Sequence, residues 1–345
     1  MNEFKGKTIL VTGGTGSIGS EIVRQLLKKE VRTVRIFARH EECHHQMMQE
    51  FAKKSGSLRF IVGDIRDKDR LKMAMEGVDL VFHAAALKHI SLCEANPLEA
   101  VKTNIIGTQN VIDAARELNI KKVIGISTDK AAEPESVLGV SKLMAERLFL
   151  STFFYKGNKS TTFACVRFGN VLGSRGSLLP LLKKQIAEQG EVTVTDLDMT
   201  RFVMAIPQAV GLVLRAAVLS RGQEILILKM PSARLGDIVD AAVAVFAKSM
   251  HKDPKSIRVQ IIGKRVAEKH HERLLAEHEF SRALETKDMY ILTPNRKLEL
   301  DPYKERYLGA QEAVDRRYIS SESAPKLSVQ ELTKRINELQ ESGTI

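Results

Sequence analysis

The run KTILVTGGTGSIGSEIVRQLLKKE, from Lys7 to Glu30, constrains the chain more than any other segment. An apolar stretch enters a glycine turn, and an amphipathic helical pattern starts at once. Gly13, Gly16 and Gly19 let the backbone turn tightly, bring N–H groups against a pyrophosphate and pack the helix on its strand. Thr15, Ser17 and Ile18, between those glycines, are candidate contacts too. The strand before the turn and the helix after it are the context that gives such spacing meaning.

The same rhythm continues. TVRIFAR, LRFIVGD, DLVFHAAA and KKVIGIST read as strands between helical stretches, among them the long EAVKTNIIGTQNVIDAAREL. Nearly all-apolar strands that alternate with helices predict a parallel sheet covered on both faces. TTFACVRFGNV reads as one further strand. The expected fold is a Rossmann-like, doubly wound α/β sheet. Residues 1–172 would bind the nucleotide and carry the catalytic segment. Residues 173–345 would form a smaller α/β substrate-binding and peripheral portion, partly interleaved with the sheet. The charged segment after Asp253 reads as peripheral. The final SVQELTKRINELQ pattern, with a Ser cap and a Glu three residues on, reads as a docking helix or an oligomer contact.

Composition excludes more than it identifies. Hydrophobic content of 43% and charged content of 28% are those of a soluble globular protein. No apolar run approaches the roughly 18 residues of a membrane span, and the N-terminus lacks a signal-peptide layout. Cys43, Cys93 and Cys165 are far apart, which suits reduced thiols in the cytoplasm. His44/His45 and His270/His271 lack metal-site spacing, so no metal is expected. The net charge of +11 comes from Lys and Arg interleaved with acids, and aromatics are only 5%. That argues against a nucleic-acid stacking platform.

The second strand ends in Ala38, Arg39 and His40. A carboxylate there would select NAD, whereas a guanidinium suits a 2′-phosphate, so the expected cofactor is NADP. Asp64 and Ile65 would flank the adenine. Ala84, Ala85 and Ala86 are small enough for close backbone approach, and Lys88 would point toward the nicotinamide.

In order over residues 5 to 205 stand TGGTGSIG, VGDIRD, VFHAAALKH, STDKAAEP, SKLMAERL, RFGNVLGSRGS and TDLDMTRF. The ensemble resembles the inverting UDP-N-acetylglucosamine 4,6-dehydratases of the extended short-chain dehydrogenase/reductases. The resemblance implies a tightly held NADP recycled in each turnover, a UDP-amino-sugar substrate, inversion at carbon 5 and a homo-oligomer. It makes Asp129 the acid for the departing hydroxyl and Lys130 the carbon 5 base, with an ammonium pKa lowered by neighbouring cations and burial. Lys142 would bind the nicotinamide ribose, and Thr128 (or Ser127) the carbon 4 hydroxyl. Lys88 and Asn170 would position substrate, while Arg175 and Arg201 would contact its diphosphate or uridine. A role for Arg265, Glu268 or Lys269 is doubtful, because Ala267 replaces a family glycine. The chain departs from the superfamily at Leu138, four residues before Lys142, where a tyrosine is usual. Two alternatives stand beside this reading: a UDP-sugar 4-epimerase, against which both the missing tyrosine and the Asp129–Lys130 pair count, and a non-catalytic NADP-binding homologue, which Leu138 favours.

Overall fold

The computed structural model of the chain describes residues 3–152, 154–155, 157, 160–293, 307 and 309–345. It begins with β1 (Thr8–Thr12), α1 (Ser17–Leu26), β2 (Thr33–Ala38), α2 (Glu41–Glu50), β3 (Leu58–Val62) and α3 (Lys68–Met75). There follow β4 (Leu80–His83), α4 (Ile90–Ala95), α5 (Pro97–Ala100), a π-helical turn (Val101–Ile106), α6 (Gly107–Glu117) and β5 (Lys122–Thr128). Next come α7 (Val137–Ser151), β6 (Thr162–Phe168), β7 (Asn170–Leu172), α8 (Leu178–Glu188), β8 (Glu191–Val194) and β9 (Thr200–Ala205). After α9 (Ile206–Leu219) lie β10 (Ile225–Leu228), β11 (Ser232–Arg234), α10 (Leu235–Ser249) and β12 (Arg258–Ile261). The rest is α11 (Glu277–Phe280), β13 (Ala283–Glu285), β14 (Met289–Leu292), β15 (Gln311–Glu312) and α12 (Val329–Glu341).

Among the described residues the main sheet has ten strands in the order β15-β13-β14-β10-β6-β5-β4-β1-β2-β3. The strands from β3 to β10 pair in parallel. β1 and β4 are buried throughout, which explains their apolar sequences: helices cover both faces. The order reverses between β1 and β4, so the carboxyl ends of these strands open a crevice.

Three features depart from the sequence reading. The long helix is interrupted by the π-helical turn, which aims Asn104 inward. Its Oδ1 accepts from the Leu87 N–H at 2.8 Å and its Nδ2 donates to Ser141 Oγ at 2.9 Å, tying the loop after β4 to α7. The expected strand TTFACVRFGNV breaks at Gly169. β6 stays in the main sheet, whereas β7 pairs with β9 in a separate three-stranded sheet. Finally, the charged segment after Asp253 is not wholly peripheral, because β14 pairs with β10 and extends the main sheet.

A second apolar core joins α8, α10 and α12 through Leu182, Ile186, Phe246, Leu332 and Ile336. The terminal helix is therefore docked within its own chain. Its cap is reciprocal: Ser328 Oγ accepts from the Glu331 N–H, and Glu331 Oε2 accepts from the Ser328 N–H at 2.8 Å.

Candidate active site

A cavity of about 810 Å³ runs across the carboxyl ends of β1, β2, β4 and β5 and under the loop after β7. Its wall holds Gly13, Thr15, Gly16, Ser17, Ile18 and Gly19 from the glycine turn, with Arg39, Asp64, Ile65, Ala84, Ala85, Ala86 and Lys88. Thr128, Lys130, Leu138, Lys142 and Asn170 complete the other end, and Arg175 also lines the cavity.

The glycine turn has the form of a dinucleotide cradle. Gly13 adopts φ +63°, and a Cβ there would lie 2.7 Å from the Ala85 nitrogen. No side chain caps the N-terminus of α1, which opens onto the cavity as an anion site. At the end of β2, Arg39 lies 3.8 Å from Asp64 Oδ2. Burial alone would raise the Asp64 carboxyl, but hydrogen bonds from Arg66 hold it below the usual carboxylate range. Arg175, expected at the substrate end, turns toward the cofactor end. Its guanidinium donates to the Thr15 carbonyl and its N–H to Ser17 Oγ at 3.0 Å, and one nitrogen lies 3.8 Å from Cys43 Sγ. Lys88 donates to the Arg175 carbonyl. Loss of solvent in the cleft, and then Arg175, pull its ammonium below the usual range.

The chemistry-bearing groups gather where β5 ends. A single 3₁₀ turn follows the strand, and the Thr128 hydroxyl caps it, at 3.5 Å from the Lys130 N–H. This turn carries Asp129 inward and Lys130 to the wall. Asp129 is fully enclosed and does not itself line the cavity. Its Oδ1 accepts from Thr128 Oγ1 at 2.9 Å and from Lys130 Nζ at 3.0 Å. Its Oδ2 is buried without a hydrogen-bond partner. Burial raises the Asp129 carboxyl and Glu272 adds to the rise, against the lowering effect of Lys130. Lys130 Nζ also lies 3.1 Å from Glu272 Oε1 and 3.4 Å from Asn170 Oδ1.

Lys130 reverses the expectation of a lowered ammonium pKa. Burial does pull it down, but Asp129 and Glu272 more than offset this and raise it above the usual lysine value. Lys142, nine-tenths buried in the first turns of α7, donates to the Ile126 carbonyl at 2.6 Å, and burial lowers its ammonium. Leu138, 4% exposed, packs with Cys93 and Ala100, so the position usual for a phenol is an apolar contact.

Arg201 is not on the cavity wall. It is buried, its guanidinium pairing with Glu268 at 2.9 Å and donating to the Thr200 carbonyl at 2.8 Å. The segment read as doubtful thus reaches the site: Glu268 holds Arg201, Lys269 donates to the Ala132 carbonyl at 2.7 Å, and Glu272 pairs with Lys130. Glu272 escaped sequence reasoning. Nothing in KHHERLL marks one glutamate as enclosed, and its partner lies far away along the chain.

The family described as "Polysaccharide biosynthesis protein" matches residues 9–294. The chain belongs to this family. An uncharacterized membrane protein of Methanocaldococcus jannaschii is 53% identical over 293 residues, covering 85% of this chain and 87% of that one. The inverting UDP-N-acetylglucosamine 4,6-dehydratase of Campylobacter jejuni is 41% identical over 297 residues, covering 86% and 85%. A UDP-glucose 4-epimerase of Rickettsia bellii is 38% identical over 291 residues, covering 83% of each. The crystal structure of Pen from Bacillus thuringiensis superposes with a TM-score of 0.89 at 40% identity, over 99% of this chain and all of that one. The dehydratase relatives put the chain among enzymes of the hydro-lyase class. Among the described residues no helix is long and apolar enough to cross a membrane.

Proposed function

We infer that this chain is an NADP-dependent dehydratase that converts UDP-N-acetylglucosamine, or a related UDP-amino sugar, to a 4-keto-6-deoxy sugar with inversion at carbon 5. The observation that carries the reading is the Asp129–Lys130 pair at the end of β5, with Lys130 on the wall of a cavity whose other end is the glycine cradle. An epimerase needs no such elimination pair. The named activity of the Campylobacter relative supports the substrate class.

The cradle suits a nicotinamide dinucleotide, with Gly13, Gly16 and the open start of α1 at the pyrophosphate. Bound there, a nicotinamide would supply the hydride acceptor for carbon 4 and the hydride donor for carbon 6. NADP is favoured over NAD because Arg39 stands at the end of β2, where NAD-selecting folds carry a carboxylate. Arg175 adds a second guanidinium to the wall of the same cavity.

Thr128 offers its hydroxyl as a hydrogen-bond partner to the carbon 4 hydroxyl in place of the missing phenol, and the positive charge of Lys142 favours passage of that hydroxyl's proton to solvent. Elimination then needs a base and an acid together. One proton moving along the 3.0 Å contact from Lys130 Nζ to Asp129 Oδ1 makes the lysine an amine and the aspartate an acid. The amine takes the carbon 5 proton. The acid supplies the proton that leaves with the carbon 6 hydroxyl as water, passed through Thr128 or Lys130, since Asp129 is enclosed. The pair ends as it began, ammonium and carboxylate, and a solvent proton, replacing the one lost from the carbon 4 hydroxyl, returns to carbon 5 on the opposite face. Exposed Leu92, Leu98, Val140 and Met144 on α4, α5 and α7 support a homo-oligomer, which light scattering on the purified protein tests.

Proton NMR of the protein with UDP-N-acetylglucosamine in heavy water tests the activity. A new methyl signal, deuterium at carbon 5 and L-series couplings are expected. Conversion to the 4-epimer alone would overturn the reading. Asp129→Asn should lower the rate by roughly 10²- to 10⁴-fold while leaving NADP bound.

A further inference from the structure

We propose that Glu272 is a positioning residue of this site: its carboxylate holds Lys130 beside Asp129 and determines how the pair shares its proton. The inference rests on reading Asp129 and Lys130 as the catalytic pair. Glu272 is 2% exposed, and its Oε1 lies 3.1 Å from Lys130 Nζ. Its Oε2 is buried with no hydrogen-bond partner, as is Asp129 Oδ2. Two carboxylates with unsatisfied oxygens therefore flank one ammonium.

A structural carboxylate at such depth would be expected to have its acceptors filled. Glu146 and Glu279 do this in the same protein: both oxygens of Glu146 accept from Arg167, at 3.0 and 2.7 Å, with Ser127 Oγ donating at 2.6 Å, and both oxygens of Glu279 accept from Arg167, at 2.7 and 3.1 Å. Glu272 keeps one oxygen free and spends the other on the lysine that faces the cavity.

The backbone around Glu272 is fixed. Its N–H donates to Ser321 Oγ at 2.8 Å, and the Ser321 N–H donates to its carbonyl at 2.9 Å. Ser321 Oγ in turn donates to the Thr200 carbonyl at 3.1 Å. The carboxylate thus reaches Lys130 from a rigid support on a different part of the chain, which limits the directions in which the ammonium can point. The other groups facing the cluster are Thr128 and Asn170 on the β5 and β7 sides, Arg201 from β9 and Lys269 from the Glu272 segment.

The charge of Glu272 acts on both members of the pair in the same sense. It favours the protonated form of Asp129 and the charged form of Lys130. Removing that charge while keeping the shape makes both groups give up protons at lower pH.

The test uses full-length protein labelled at the lysine ε-carbons, with the Lys130 signal assigned by its loss in Lys130→Arg. In the wild type, Lys130 should stay charged above the ordinary lysine value of about 10.4. In Glu272→Gln its titration should move down by on the order of one to two pH units, and both limbs of the pH–rate profile should move the same way. A purely structural glutamate would lower turnover at every pH and leave titration and limbs in place, which would overturn the proposal. Should Glu272→Gln fail to fold, Glu272→Asp decides. Lower kcat with unchanged KM and cofactor affinity supports positioning, and wild-type kcat overturns it. A shifted Lys130 titration in a protein inactive on UDP-N-acetylglucosamine would leave the pair's electrostatics standing and refute only the substrate reading.

Discussion

Arg175 lies across the glycine turn: its guanidinium donates to the Thr15 carbonyl, although 160 residues separate the two. The loop after β7 thus closes over the cofactor end of the cavity, whose wall also holds Arg39 and Cys43.

Arg175→Ala and Arg39→Ala should each weaken NADP⁺ binding by roughly 10- to 100-fold, the scale of one charge-assisted contact. NAD⁺ binding should change little. Calorimetry on cofactor-stripped protein measures both, and an equal loss for the two nucleotides would place the arginines at the pyrophosphate instead.

Leu138 fills an apolar contact with Cys93 and Ala100 and has no ionisable group to contribute. Leu138→Met, similar in volume, should keep turnover within a few-fold of wild type and cost under about 1.5 kcal/mol. Leu138→Ala should cost about 2–5 kcal/mol in urea unfolding. A collapse of turnover in the methionine variant at unchanged stability would show that the leucine shape itself serves the chemistry.

Arg167 is fully buried between Glu146 and Glu279, with contacts of 2.7 Å to each. Burial alone would lower its guanidinium pKa, but the two carboxylates reverse this and raise it further. Arg167→Met would leave both acids without their cation and should destabilise the fold by about 3–5 kcal/mol. Thermal unfolding at neutral pH reads the loss, and the defect should shrink as pH falls and the carboxylates protonate.

Gly169 separates β6 from β7 behind Asp129. A Cβ there would lie 2.4 Å from Phe202 Cβ and 3.1 Å from Asp129 Oδ2. Gly169→Ala should therefore lower turnover by at least tenfold while NADP⁺ still binds. Wild-type kinetics in that variant would mean that Asp129 moves freely, contrary to the enclosure described above.

How legible the site was depended on how its residues are joined. Gly13, Gly16 and Gly19 are neighbours on one turn, so local spacing was enough to place them. Asp129 and Lys130 are consecutive, and Lys142 follows within a helix whose pattern was visible. The break at Gly169 was hidden, because a strand that changes sheets keeps its apolar composition. Arg201 looked like an anion contact because an arginine in a loop motif carries no sign of the partner that claims it.

The sequence alone determined the parallel sheet, the glycine turn and the place where Asp129 and Lys130 stand. Each follows from periodicity, or from side chains a few residues apart. Only the tertiary structure decided the state of that pair. Asp129 and Glu272 together raise rather than lower the lysine, Arg201 pairs with Glu268 off the cavity wall, and the loop after β7 turns Arg175 toward the cofactor end. These outcomes depend on which charges meet at 3 Å in a place emptied of water, and only the packing of distant segments settles that.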